Sequence, residues 1–174
     1  MFSTGIPLVY YGTEQAFRQN TDRLDPEGPQ APADPQNRED MFPEGQFKSA
    51  SSAGDKFDVD SPSFKVLARF QQLRKELPAL RRGDQFVRWS DPWGPGVYAF
   101  SRIYQGQEVL VVMNTADEAR SADMFVDSGL SPPGAHLADR LDGAYAAETY
   151  APAGGGSRVI VSVPAHGVRV LVKK

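Results

Sequence analysis

The 174 residues carry 19 Lys and Arg against 22 Asp and Glu, a net charge of −3, so the chain lacks a phosphate-neutralising basic surface. Neither nucleic acid nor an anionic membrane is an expected partner. The absence of cysteine excludes disulfides, thiolate nucleophiles and Cys-based metal sites together, and no apolar run approaches the roughly 18 residues that span a bilayer.

The first element is an apolar run, Ile6-Pro7-Leu8-Val9-Tyr10-Tyr11, bounded by Gly5 and Gly12 and ending in Thr13-Glu14-Gln15. It reads as a strand buried on both faces, as in a parallel sheet, with partners elsewhere because nothing before it can cover it. Strand alternation would send one of Tyr10 and Tyr11 toward a barrel interior and the other toward a helix layer. Residues 16–60 are rich in Pro, Gly, Asp, Asn, Gln and Ser, and Pro26, Pro29, Pro32, Pro35 and Pro43 interrupt any regular element. They read as one long loop, with composition favouring disorder from Asp25 to Gln36 and an ordered turn at Asn37–Pro43.

At Ser61 the period changes to that of a helix. Ser61 suits the N-cap, Pro62 the first turn, and Val66, Phe70, Leu73 and Leu77 form an apolar stripe that Phe64 and Leu67 widen. Arg74 and Lys75 complement the C-terminal end of the dipole and Pro78 stops the helix. After Gly83 the period becomes two. Eight short runs, near residues 86–89, 97–103, 108–114, 122–126, 136–141, 148–150, 159–163 and 168–172, are separated by Gly- and Pro-rich turns. They predict an antiparallel sandwich or barrel able to fold by itself. A lone strand, loop and helix form one β/α unit, which is not a domain. Residues 1–82 are therefore expected to close an α/β barrel or sheet whose other units are absent, and residues 83–174 to form an all-β domain.

Few residues suggest chemistry on their own. His136 and His166 have no nucleophile near them in sequence, and His166 sits in a turn composition. Asp55, Asp58 and Asp60 lack the glycine and terminal Glu of a calcium loop and read as an acidic lead into the helix. Glu14, just past the carboxyl end of the first strand, is either a catalytic acid or a brace for backbone amides and an arginine such as Arg18 or Arg38. Tyr10, Tyr11 and Phe42 could stack on sugar faces, as could Trp89 and Trp93. Of the last two, Trp89 suits the core and Trp93 an exposed loop.

Gly5-Ile6-Pro7-Leu8-Val9-Tyr10-Tyr11-Gly12-Thr13-Glu14 has the pattern G-[IV]-P-x-[IVL]-Y-Y-G-x-E, and Asn37-Arg38-Glu39-Asp40-Met41-Phe42 the pattern N-R-x-x-M-[WF]. Leu73-Arg74-Lys75-Glu76-Leu77-Pro78-Ala79-Leu80 and Val109-Leu110-Val111-Val112-Met113-Asn114 match L-R-x-x-x-P-A-L and V-L-V-V-x-N. Together these segments resemble the α-amylase family, glycoside hydrolase family 13: its last barrel strand, the loop that follows, its last barrel helix and a strand of its C-terminal domain. The resemblance implies an α+β chain, the last β/α unit of a (β/α)8 barrel followed by an antiparallel Greek-key β-sandwich.

It further implies a parent enzyme that acts on α-glucans or oligosaccharides by a retaining two-carboxylate mechanism. In that family the three catalytic carboxylates follow the fourth, fifth and seventh strands, and the calcium site is also upstream. No catalytic residue, metal or cofactor is therefore expected in this chain, which alone should be inactive. Tyr10, Tyr11, Glu14, Arg38 and Met41 resemble residues that line or brace the substrate cleft; Phe42 stands where Trp is more frequent. An uncovered last strand would invite self-association, and an extracellular or periplasmic parent is compatible with the resemblance. The alternative is a non-catalytic carbohydrate-binding or structural β-sandwich, which for binding needs an exposed aromatic platform.

Overall fold

The period-two alternation after Gly83 becomes eight antiparallel strands in the computed structural model, which describes residues 1–16, 41 and 57–174. They are β1 (Asp84–Ser90), β2 (Val97–Tyr104), β3 (Gln107–Asn114), β4 (Arg120–Val126), β5 (His136–Asp139), β6 (Ala146–Tyr150), β7 (Ser157–Val163) and β8 (Val168–Lys173). Each matches one expected run. Their spatial order is β1-β2-β3-β8-β5-β6-β7-β4. The meander β5-β6-β7 with β4 returned beside β7 is a Greek key. Gln105 and Gly106 both take positive φ, 45° and 77°, which is what a two-residue β2–β3 hairpin turn requires.

The ladder folds into two layers around one core. Val97, Ala99, Leu110, Val112, Leu137 and Leu171 meet Ala122, Met124, Val126, Val159, Val161 and Val163 of β4 and β7. Each fully buried Val or Leu contributes about 1.5–3 kcal/mol relative to exposure. The opposite face of β2, β3 and β8 is apolar too: Phe100, Val109, Val111 and Val170 are buried. That face is covered from within the same compact unit, which comprises Met1–Gly5 and Leu73–Lys174. A short helix α2 (Ala79–Arg82) lies against β2 and β3, and Leu73, Leu77, Ala79 and Leu80 are buried.

Pro78 explains this second helix, which the apolar periodicity did not predict. Proline ends α1 (Pro62–Glu76), yet its φ of −55° suits a helix start, and Arg81 and Arg82 donate their amides to Pro78 O. Gly83 then has to be glycine, because a Cβ there would stand 2.6 Å from Ala79 O and 2.8 Å from Ile103 O.

Two arginines hold the first residues to this unit. Arg102, fully buried, donates through Nη2 and Nε to Gly83 O (2.7 and 3.2 Å) and through Nη1 to Phe2 O (2.7 Å). Arg74 Nη1 donates to Met1 O (2.6 Å) and Leu80 O (2.7 Å). Burial first, and then the charge of Arg74, push the Arg102 guanidinium below its ordinary pKa, with Asp84 opposing. Burial and then Arg81 do the same to Arg74.

The second compact unit is Ile6–Gln72. Ser61 caps α1 as expected, its Oγ accepting from Phe64 N–H at 3.2 Å. The expected strand over Gly5–Gln15 is not formed. Ile6 and Leu8 are 96% and 92% exposed, and among the described residues no strand pairs with them. The physical reason is the absence of a ladder: an apolar segment becomes a buried strand only when neighbouring strands take its N–H and C=O groups. Of the strand, loop and helix expected for residues 1–82, only the helix is formed among the described residues. Apart from Ala16, Met41 and residues 57–60, the expected loop 16–60 lies outside those residues, including Asp25–Gln36 and all of Asn37–Pro43 except Met41.

Glu108 closes one end of the core. Its side chain is 2% exposed and accepts from Arg88 Nη2 (3.0 Å), Ser101 Oγ (2.5 Å), Ser131 Oγ (2.7 Å) and the Asp127 amide (3.1 Å). β1, β2, β3 and the β4–β5 connection thus share one carboxylate. Replacing it by Ala strands a mostly buried guanidinium and two hydroxyls. Glu108→Ala is expected to lower stability by about 3–5 kcal/mol in urea unfolding, and Glu108→Gln, which keeps the volume and part of the bonding, by about 1–3 kcal/mol.

Candidate functional site

The cleft residues suggested by sequence lie in the Ile6–Gln72 unit. Gly12, with φ of 81°, turns the chain into one turn of 3-10 helix, Thr13–Gln15. That turn is fastened to the start of α1. Gln15 Nε2 donates to Asp58 O (3.0 Å) while its Oε1 accepts from the Asp58 amide (3.2 Å). Ser61 Oγ, besides capping α1, donates to Glu14 O at 2.6 Å. Glu14 is therefore held by its backbone, with its side chain half-buried. Asp58 and Asp60 form the helix-leading turn anticipated for them, Asp58 Oδ1 accepting from the Asp60 amide at 2.8 Å.

Tyr10 and Tyr11 are both exposed, and their ring centroids are 4.7 Å apart with a 42° tilt. They do not alternate to opposite faces, because there is no strand to impose the alternation. Met41 is half-buried, and Arg38 lies outside the described residues. Beside the Thr13 turn, Thr13, Pro62, Ser63, Val66 and Leu67 line an open, mainly apolar hollow. Among the described residues no group of three or more His, Asp or Glu is placed to hold a metal ion.

In the sandwich the histidines have structural roles. His166 takes φ of 51° in the β7–β8 turn, its amide donates to Ala116 O (3.2 Å), and Nε2 lies 2.9 Å from Asp117 Oδ1. His136 lies on the surface, 4.0 Å from Glu148. Trp89 packs against the core and donates its indole N–H to Asp91 Oδ1 at 2.8 Å, whereas Trp93 is 95% exposed. The two tryptophans thus do not share a platform.

Sequence reasoning missed a different cluster, on the outward face of β4, β7 and β6. Arg158 stands directly between Phe125 and Tyr150 in register. Its guanidinium lies 4.3 Å over the Phe125 ring, its Nε donates to Asp123 Oδ1 (3.0 Å), and Tyr150 Oη donates to Asp123 Oδ2 (2.6 Å). The missed signal is a phase error: Phe125 and Ile160 occupy the outward, polar phase of strands whose inward residues are Met124, Val126, Val159 and Val161.

Burial alone would raise the Asp123 carboxyl, but hydrogen bonds from Tyr150 and Arg158, with the Arg158 charge, outweigh it and hold the pKa below the ordinary value. The bond to Asp123, ahead of burial, raises the Tyr150 hydroxyl. A depressed carboxylate stabilises the fold above its unfolded pKa of about 3.9 and loses that contribution as pH falls through the folded value. A raised phenol contributes fully below its unfolded pKa of about 10 and loses its share as pH rises through the folded value. Denaturant titrations should show wild type exceeding Asp123→Asn in stability at pH 6, with the gap closing as pH falls below about 4.

No family model matches the chain. An α-amylase of Streptomyces lividans is 31% identical over 172 residues, 97% of this chain and 17% of that enzyme. A cyclomaltodextrin glucanotransferase of Geobacillus stearothermophilus is 28% identical over 81% of this chain and 16% of the enzyme. The chain therefore spans about a sixth of the curated relatives it matches. The crystal structure of CldA, a cyclomaltodextrin glucanotransferase with a three-domain ABC distribution, superposes with a TM-score of 0.67 at 21% identity, over 98% of this chain and 30% of that one. By sequence to the amylase and glucanotransferase, and by fold to CldA, this chain is a relative of one part of the α-amylase family, glycoside hydrolase family 13.

Proposed function

We propose that the chain is the C-terminal portion of an amylase-like glycoside hydrolase. Residues 1–82 supply the last strand, loop and helix of a (β/α)8 barrel, and residues 83–174 its C-terminal Greek-key sandwich. The observation that carries this is a mismatch of coverage and burial. Similarity runs along 97% of the chain but only 17% of the relative, and the family-like segment Ile6–Tyr11 lies exposed, without a strand partner among the described residues. An apolar segment of that kind is one whose covering strands belong to a larger protein.

In the intact enzyme, two carboxylates on either side of the glycosidic bond do the chemistry: one protonates the leaving oxygen while the other attacks the sugar carbon, and water later releases the glycosyl group with inversion at each step. Both belong to the part of the enzyme before this chain. The residues here bind and orient. Tyr10 and Tyr11 offer ring faces to an α-glucan, Glu14 is aimed by the turn that Gln15 and Ser61 fix, and Arg38 and Met41 complete the rim. No metal or cofactor is assigned to them.

The purified 174-residue chain is expected to release no reducing sugar from soluble starch, and the same chain joined to its upstream barrel sequence to release it. Activity in the short chain, or none in the joined protein, overturns the proposal. In the joined enzyme Tyr11→Ala should raise KM for maltooligosaccharides about tenfold, as expected for a lost ground-state contact.

A further inference from the structure

We propose that the outward face of β4, β7 and β6 is a second α-glucan contact, in which Tyr150, Arg158 and Phe125 form a row; this rests on the α-glucan reading above. Tyr150 and Phe125 stand two strands apart, roughly 9–10 Å at the usual inter-strand spacing, with Arg158 between them in register. Tyr150 reaches Asp123 on β4 from β6, so its side chain lies across β7 instead of standing away from the sheet. Arg158 lies over the Phe125 ring. The guanidinium and the Phe125 ring are thus stacked, and Tyr150 is tied to Asp123, so the group is held in place on the sheet, which leaves little ordering cost on binding.

The chemistry of this row selects a neutral sugar. Arg158 and Asp123 cancel each other's charge, so nothing attracts an ionic ligand. Their remaining donor and acceptor capacity suits hydroxyls, while the rings suit the C–H faces of sugar rings. Phe125, Tyr150 and Ile160 remain 48%, 38% and 57% exposed. The three offer on the order of 300 Å² of apolar surface, well short of the ~800 Å² per partner of a stable protein interface. Gly156 borders Phe125: a Cβ there would stand 3.6 Å from the ring, in ordinary contact with it.

Native gel electrophoresis of the full 174-residue chain through amylopectin tests the site, with hydroxyethylcellulose as the β-glucan arm. Amylopectin should retard the chain, and Phe125→Ala and Tyr150→Ala should each weaken retardation about tenfold. Trp93→Ala should leave it unchanged. Thermal unfolding checks that these half-exposed truncations stay folded, and Tyr150→Phe, which keeps the ring, should retain most of the binding. Retardation that survives both row truncations, or is lost with Trp93→Ala, overturns the row while leaving the parent's α-glucan activity standing. So does the absence of retardation when the joined enzyme digests starch. Retardation by hydroxyethylcellulose alone overturns the α-glucan assignment of the row, whereas the parent's assignment stands or falls with starch digestion by the joined enzyme. A concentration-dependent dimer abolished by Phe125→Ala would make the row a protein contact and overturn the proposal.

Discussion

Glu108 sits where an alternating strand would normally place another aliphatic side chain, and the sandwich is arranged around satisfying it. The inner face of β3 reads Glu108, Leu110, Val112, Asn114: two apolar residues between two polar ends. Asn114 closes the far end as Glu108 closes the near one. Its Nδ2 lies within bonding distance of Glu118 O (2.8 Å), Pro164 O (3.0 Å) and Val163 O (3.2 Å), and its Oδ1 accepts from the Ala116 amide (3.0 Å). A buried charge is weak evidence of net stability, because desolvation offsets most of its attraction. What it contributes is register. A one-residue slip of β3 would carry Glu108 and Asn114 to the opposite face and leave four donor groups at the Glu108 end unanswered. Among the described residues the one buried polar side-chain atom without a partner is Ser157 Oγ.

A second constraint follows from guanidiniums without carboxylates. Arg102 and Arg74 meet the carbonyls of Met1, Phe2, Leu80 and Gly83. At Arg102 lysine could not substitute: one ammonium does not reproduce the planar fork that sends Nε and Nη2 to Gly83 O and Nη1 to Phe2 O. The two arginines fix the residues just ahead of the family-like stretch, so the chain enters Gly5 from a defined place on the sandwich. Beyond Gly5 that restraint ends, and Ile6 and Leu8 have no ladder to join.

Much of the sandwich was legible because period-two alternation depends only on which side of a sheet is wet. Every strand from β1 to β8 was found, and His166 and Trp93 fell where their turn contexts put them. Other features depended on information that alternation does not carry. The helix Ala79–Arg82 needed Pro78 to be read as a start as well as a stop. The segment Ile6–Tyr11 was read as a buried strand from apolarity, but burial requires partners, and apolarity only makes them profitable in free energy. The residues proposed for a rim were suggested by resemblance alone; the local geometry of Glu14 rests on Gln15 and Ser61, whose roles no motif announced. The Phe125 row escaped because outward apolar residues were counted as strand formers without asking which face they occupied.

The segment that best identifies the chain thus contributes least to holding it together. Hydrophobic stabilisation scales with surface removed from water, at about 25 cal/mol per Å², and side chains as exposed as Ile6 and Leu8 remove almost none. Leu110, Val112 and Leu171 are fully buried, yet their aliphatic alternation would suit many sandwiches. Identity and stability are consequently carried by different residues. Resemblance points to the larger protein a segment is built for, and burial points to what the segment can do without it. Where both signals fall on one residue, as at Leu73 and Leu77 in the helix-end pattern, the side chain is buried within the sandwich unit itself. Burial of Leu73 and Leu77 keeps the end of α1 with the sandwich, whereas Ile6–Tyr11, with no ladder to join among the described residues, remains open to solvent.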